Sequence, residues 1–85
     1  MREFKYVITD AEGIHARPAG ELIKLLKDFQ SAITITKDGK SADAKRIFGV
    51  MGLAAKQGQE ITMTAEGPDE DAAIAAIETF LKANL

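Results

Sequence analysis

The chain begins in alternation. Phe4, Tyr6 and Ile8 are interleaved with Lys5, Val7 and Thr9, a period of two that predicts a half-buried strand. Asp10-Ala11-Glu12-Gly13 interrupts it as a turn. From Ala16 to about Phe29 the period changes: Ala19, Leu22, Ile23, Leu25, Leu26 and Phe29 fall at helical spacing. Pro18 is compatible with that helix because it sits in the first turn, where its missing N–H has no intrahelical acceptor to lose. Ala32 to Thr36 alternates again, Ile33 and Ile35 against Thr34 and Thr36, and runs into Asp38-Gly39, a strong two-residue hairpin signal. The return strand, Lys40 to about Ala44, is short and polar and reads as a sheet edge.

A short helical turn is predicted from about Arg46 to Leu53, carrying Ile47, Phe48, Val50, Met51 and Leu53. Gly49 and Gly52 each weaken it by about 1 kcal/mol relative to alanine. After Gln57-Gly58, Glu60 to Glu66 alternates cleanly through Ile61, Met63 and Ala65. Gly67-Pro68-Asp69 then leads into a last helix, with acidic residues at its positive end and a buried face of Ala73, Ile74, Ile77, Phe80 and Leu81. The predicted order is β-α-β-β-α-β-α. Three helical stripes that must all be covered imply an α+β fold in two layers, helices on one face of a sheet. No repeat, linker or low-complexity segment divides residues 1–85, so one domain is expected.

Composition narrows the function. The 85 residues are 46% hydrophobic and 28% charged, as in globular chains. There is no cysteine and one histidine, which excludes disulfides and a His/Cys zinc cage. Met1-Arg2-Glu3-Phe4-Lys5 does not read as a signal peptide, and no apolar run approaches the roughly 20 residues of a membrane span. A cytoplasmic protein without membrane insertion is the expectation. Net charge is −2, unevenly spread. Ile14 to Lys56 holds eight Lys/Arg against four acids, whereas Gln57 to the end holds only Lys82 against six acids. That asymmetry can favour a phosphate or an acidic partner, though a mixed solvated surface reads as well from charge alone. A nucleic-acid module fits poorly: a lone Tyr6 and an acidic C-terminal part provide neither stacking platforms nor enough basic surface.

The chemistry concentrates in Gly13-Ile14-His15-Ala16-Arg17-Pro18-Ala19. Gly13 permits a tight turn out of the first strand, and His15 lands at or just before the start of the first helix. The first amides of a helix lack intrahelical acceptors and carry the positive end of its dipole, which makes an anion site. Arg17 adds a planar fork of donors matched to phosphate oxygens. The same positive charge disfavours an imidazolium, leaving a ring able to attack phosphorus. Reversible phosphoryl transfer follows from such a site. A capping or surface histidine beside a solvated arginine is the plainer reading of the same residues.

This heptapeptide resembles the active-site signature of the HPr family, the histidine phosphocarriers of the bacterial phosphoenolpyruvate:sugar phosphotransferase system. Asp38-Gly39, Lys40-Ser41-Ala42-Asp43-Ala44-Lys45, the apolar turn after it, Gly58, the strand from Ile61 to Gly67 and the acidic entry to the last helix are similar too. The resemblance implies an open-faced β-sandwich, a four-stranded antiparallel sheet with three helices on one face. It implies a carrier rather than a free-standing turnover enzyme. His15 would accept phosphoryl on Nδ1 from phosphorylated enzyme I and donate it to EIIA domains for sugar uptake, with Ala16, Arg17 and Pro18 around the phosphate. No metal or cofactor is implied, and a monomer is expected. A second reading, a regulatory phospho-signalling module of the nitrogen-related branch or a catabolite-control relative, shares the same signature.

The resemblance also gives the apolar turn a role. Ile47, Phe48 and Met51, rimmed by Lys24, Lys27, Lys45 and Arg46, would form a docking patch for both partners, with Met suited to adaptable contacts. Core packing is the competing reading, favoured less for Ile47 and Met51 than for Phe48 and Val50. At the start of this turn many family members, especially in low-GC Gram-positive bacteria, carry a regulatory serine; Arg46 stands there. A guanidinium cannot accept that modification and is a poor N-cap, so escape from serine-kinase control and a short or frayed second helix are expected.

Overall fold

The computed structural model describes residues 1–85. Its elements are β1 (Arg2–Val7), α1 (Ala16–Leu26), β2 (Ala32–Lys37), β3 (Lys40–Asp43), α2 (Ile47–Gly52), β4 (Glu60–Glu66) and α3 (Glu70–Asn84), in the predicted order. The strands make one antiparallel sheet, ordered β1-β4-β2-β3. Register follows from the alternation. Phe4 and Tyr6 of β1 stand opposite Met63 and Ile61 of β4, which in turn places Ala65 and Met63 opposite Ile33 and Ile35 of β2. One face is therefore continuously apolar, and Thr34, Thr36, Thr62 and Thr64 populate the other. A one-residue slip of β4 would turn Ile61, Met63 and Ala65 outward, so the register is strongly specified.

β4 is central, paired with β1 on one side and β2 on the other, and all three of its inward residues are fully buried. The outer strands are β3, the expected polar edge, and β1, in which no residue is fully buried. Arg2, Glu3 and Lys5 line that second edge, and Lys40, Ser41 and Asp43 the first, polar groups that discourage pairing with another chain. The β2–β3 hairpin turns through Asp38 and Gly39, both at positive φ (51° and 79°), the backbone that a two-residue Asp-Gly turn requires.

The helices close the apolar face. Leu22 and Leu26 of α1, Val50 of α2, and Ala73, Ile74, Ile77 and Leu81 of α3 join the sheet residues in one cluster of 19 buried residues. Phe80, expected on the buried face of α3, is only partly covered at its margin. α1 stops at Leu26, three residues before the predicted end. Asp28 and Phe29 donate to Leu25 and Leu26 carbonyls in a tighter i−3 turn, which redirects the chain toward β2. α2 is six residues long, with Arg46 extended at its N-cap (φ −118°, ψ 120°) and no side-chain cap, in line with the short helix expected.

α3 begins differently. Asp69, its N-cap, accepts hydrogen bonds from the Gln30 and Ser31 N–H groups (2.9 Å each) and from the buried Ser31 hydroxyl. Glu70 reaches back to the Gly67 N–H at 3.2 Å. These bonds bind the α1–β2 connection to the entrance of α3.

Candidate phosphoryl-transfer site

The β1–α1 loop is fixed at both ends before it presents His15. On one side the Thr9 N–H, the Asp10 N–H and the Thr9 hydroxyl donate to the Leu85 carbonyl oxygen, at 2.6, 2.9 and 2.8 Å. Within the loop the Glu12 N–H donates to Asp10 Oδ1 (2.8 Å) and the Gly13 N–H to the Asp10 carbonyl (3.0 Å). On the other side the Ile14 N–H donates to the Ala55 carbonyl at 2.9 Å, with the Ile14 side chain buried. Gly13 cannot be replaced without movement here. Its φ is +67°, and a Cβ would lie 2.3 Å from Ala55 O and 2.8 Å from Lys56 Cα.

This anchoring places His15 at the N-cap of α1, extended at φ −111° and ψ 179°, its carbonyl accepting the Ala19 N–H at 3.0 Å. Its side chain makes no capping hydrogen bond. The Ala16 and Arg17 N–H groups have no hydrogen-bond acceptor, and Pro18, which is buried, has no N–H to offer. Ala16 and Arg17 thus provide the open amides, whereas Pro18 acts on backbone direction and packing. The His15 ring is 35% exposed, open to a partner yet held against the protein. Neither of the molecule's two surface clefts is lined by His15 or Arg17. The site is suited to recognition by a surface rather than to enclosing a small ligand.

Two carboxylates of the turn after β1, Asp10 and Glu12, lie beside the ring. Nε2 of His15 is 3.4 Å from Glu12 Oε2 and 3.9 Å from Asp10 Oδ2. Together Asp10, Glu12 and His15 bring one metal-ligating atom each within 4.8 Å of one another, a trio distinct from the His/Cys cage that composition excludes. The only signal in the sequence was the spacing of two acids three and five residues before the sole histidine.

Arg17 is 85% exposed, and its Nε lies 3.6 Å from Glu21 Oε1, one helical turn on. An exposed i,i+4 pair of this kind is worth only about 0.3–0.5 kcal/mol, so the guanidinium is held loosely. Of the docking residues, the structure separates those left open by the sequence. Val50 is fully buried, whereas Phe48 is 87% exposed and Met51 36%. Ile47 is partly buried against the core, so Phe48 rather than Ile47 is the most prominent apolar group of the turn. α2 packs against α1, the helix that His15 begins. Lys24 and Lys27 are exposed, but Lys45 is committed internally, its Nζ donating to the Phe29 carbonyl at 2.7 Å. Arg46 is exposed with its Nε 3.6 Å from Asp43 Oδ2.

Comparisons with known proteins point to one family. A family model described as the PTS HPr component phosphorylation site matches residues 2–83. The phosphocarrier protein HPr of Lysinibacillus sphaericus is 46% identical over 81 residues, 95% of this chain and 92% of that protein. HPr from Thermoanaerobacter tengcongensis superimposes with a TM-score of 0.93 at 37% identity, covering 98% of this chain and 93% of that one. A dimer of HPr from the same organism matches with a TM-score of 0.78, also at 37% identity, covering 98% and 95%.

Proposed function

Since the chain belongs to the HPr family and is a phosphocarrier of the phosphotransferase system, we propose that His15 accepts a phosphoryl group from phosphorylated enzyme I and passes it to EIIA domains for sugar uptake. The observation that carries this reading is the single histidine at the N-cap of α1 next to two unpaired helix amides. The incoming group finds the Ala16 and Arg17 N–H donors already oriented, so little reorganisation accompanies the appearance of negative charge. Arg17 leaves Glu21 and turns its guanidinium to the phosphoryl oxygens, a charge-assisted contact that outweighs the exposed pair it breaks. The chemistry itself is exchange of one N–P bond for another, in which the His15 ring attacks phosphorus as the donor nitrogen leaves.

Docking falls to Phe48, Met51 and Ile47 on α2, with Lys24, Lys27 and Arg46 supplying positive charge around them. An exposed aromatic ring and a flexible thioether suit a surface that must bind two different partners in turn. The carrier acts as a monomer and as one domain, so that each docking face is free; sedimentation at working concentration tests the first point.

Incubation with phosphoenolpyruvate, Mg²⁺ and enzyme I provides the direct test. One acid-labile phosphoryl group per chain is expected, absent in His15→Ala. Incorporation that survives His15→Ala would refute the assignment. Arg17→Gly should slow uptake and lower stability by no more than about 1 kcal/mol, the helix penalty of glycine, because Arg17 is exposed and packs against nothing in the core.

A further inference from the structure

Resting on His15 as the phosphoryl acceptor, we propose that Glu12 is a positioning residue: its carboxylate accepts the Nε2–H of His15 and thereby keeps Nδ1 as the unprotonated nitrogen of the ring. A neutral imidazole carries one proton on two nitrogens, and only the bare nitrogen has a lone pair to give phosphorus. The nitrogen that faces carboxylates in this structure is Nε2, 3.4 Å from Glu12 Oε2 and 3.9 Å from Asp10 Oδ2, close charge contacts not yet aligned as a hydrogen bond. A carboxylate is acceptor-only, so it favours the tautomer whose proton points at it.

The loop is built to hold Glu12 there. Asp10 Oδ1 accepts the Glu12 N–H, which fixes the backbone from which the Glu12 side chain reaches forward over three residues to the ring. Asp10 is thereby occupied with the loop, and its other oxygen stays at the longer distance. The Glu12 side chain is 74% exposed, and His15 is its one close polar partner. Its orientation is therefore not required for packing.

In the transfer step the Nδ1 lone pair forms the new N–P bond while the bond from phosphorus to the donor's histidine nitrogen breaks, and that electron pair returns to the donor ring. The Nε2–H stays where Glu12 holds it. No proton has to leave the reacting nitrogen first, which is the advantage of setting the tautomer beforehand.

Two substitutions separate the acceptor from the charge. Glu12→Ala and Glu12→Gln both remove the negative charge, but only glutamine retains an acceptor oxygen. The readout is the pair of His15 ring ¹⁵N chemical shifts in the unphosphorylated protein at alkaline pH, together with the initial rate of phosphoryl uptake. In Glu12→Ala the Nδ1–H tautomer should rise and, because uptake follows the fraction of rings with a bare Nδ1, uptake should fall by up to about twofold below Glu12→Gln. Glu12→Gln should keep the wild-type ring shifts. Unchanged shifts in Glu12→Ala would overturn the proposal, as would equal uptake rates in the two variants. Because the shifts are read before any phosphoryl transfer, loss of the Glu12 role is distinguishable from failure of His15 as acceptor, which the His15→Ala incorporation test decides alone.

Discussion

The entrances to α1 and α3 solve the same problem in opposite ways. Both helices present backbone amides with no partner inside the helix and a positive dipole end. At α3 the positive end is met by the charge of the chain's own acids. Asp69 occupies the N-cap, Glu70 and Asp71 follow in the first turn, and Ser31, Gln30 and Gly67 donate to Asp69 and Glu70. Neither helix has a side-chain cap hydrogen bond, but at α1 there is no acid at the N-cap or in the first turn, only His15, Ala16, Arg17 and Pro18. The acids near that site, Asp10 and Glu12, are directed at the imidazole from the preceding loop. Acids at a helix start contribute stability through the dipole, whereas a start without them can take up a negative group from outside. The ring's exposure and the open amides are thus the cost in stability of a site that must load and unload.

Converting the open entrance into a closed one is the most severe test of this contrast. His15→Asp supplies a favourable N-cap and should raise stability by about 1 kcal/mol, read from the urea midpoint, while phosphoryl incorporation disappears. Stabilisation without loss of transfer would show that the two ends do not differ in the way described. Gly13→Ala attacks the anchoring of the open end instead. A Cβ at positive φ pressed against Ala55 O should destabilise the protein by about 2–4 kcal/mol, checked by thermal or urea unfolding.

At the closed end the effect depends on pH. The Ser31 hydroxyl foremost, then the Gln30 and Ser31 N–H groups, hold the Asp69 carboxyl below the ordinary aspartate range, and the contacts of Glu70 with the Met1 ammonium and the Gly67 N–H lower it likewise. The unfolded chain therefore binds protons that the folded chain does not. Stability is fully present above the ordinary carboxyl value of about 4 and declines as pH falls through the lower folded-state values. Asp69→Asn should lower the urea midpoint at neutral pH and flatten its decline on acidification from about pH 5 to about pH 2, with uptake at His15 unchanged. A midpoint with the wild-type acid slope would remove Asp69 from this role.

The smallest effect concerns the loop behind the open end. Ala54 is at φ +52°, beside the Ala55 carbonyl that anchors Ile14. An alanine there carries strain that glycine avoids, so Ala54→Gly should gain about 0.5–1 kcal/mol without altering phosphoryl uptake. A loss of stability would mean that the conformational freedom glycine adds to the unfolded chain outweighs the relief.

The sequence by itself determined the sheet face, the order of elements and the place of the candidate nucleophile. Period-two alternation leaves Ile61, Met63 and Ala65 one orientation, Asp38-Gly39 one kind of hairpin, and Gly13 through Pro18 a helix start with His15 at its entrance. These are local consequences of backbone sterics and of which residues must leave water. What surrounds that entrance was decided only by the tertiary structure. Asp69 ties the start of α3 to residues 38 and 39 positions away, and Lys45 is withdrawn from the basic surface by the Phe29 carbonyl. Phe48 and Val50, two residues apart on one short helix, separate into solvent and core, because α2 has only one side packed against the rest of the protein. Contacts of this kind depend on which distant surfaces the folded chain brings together, and no local pattern carries that information.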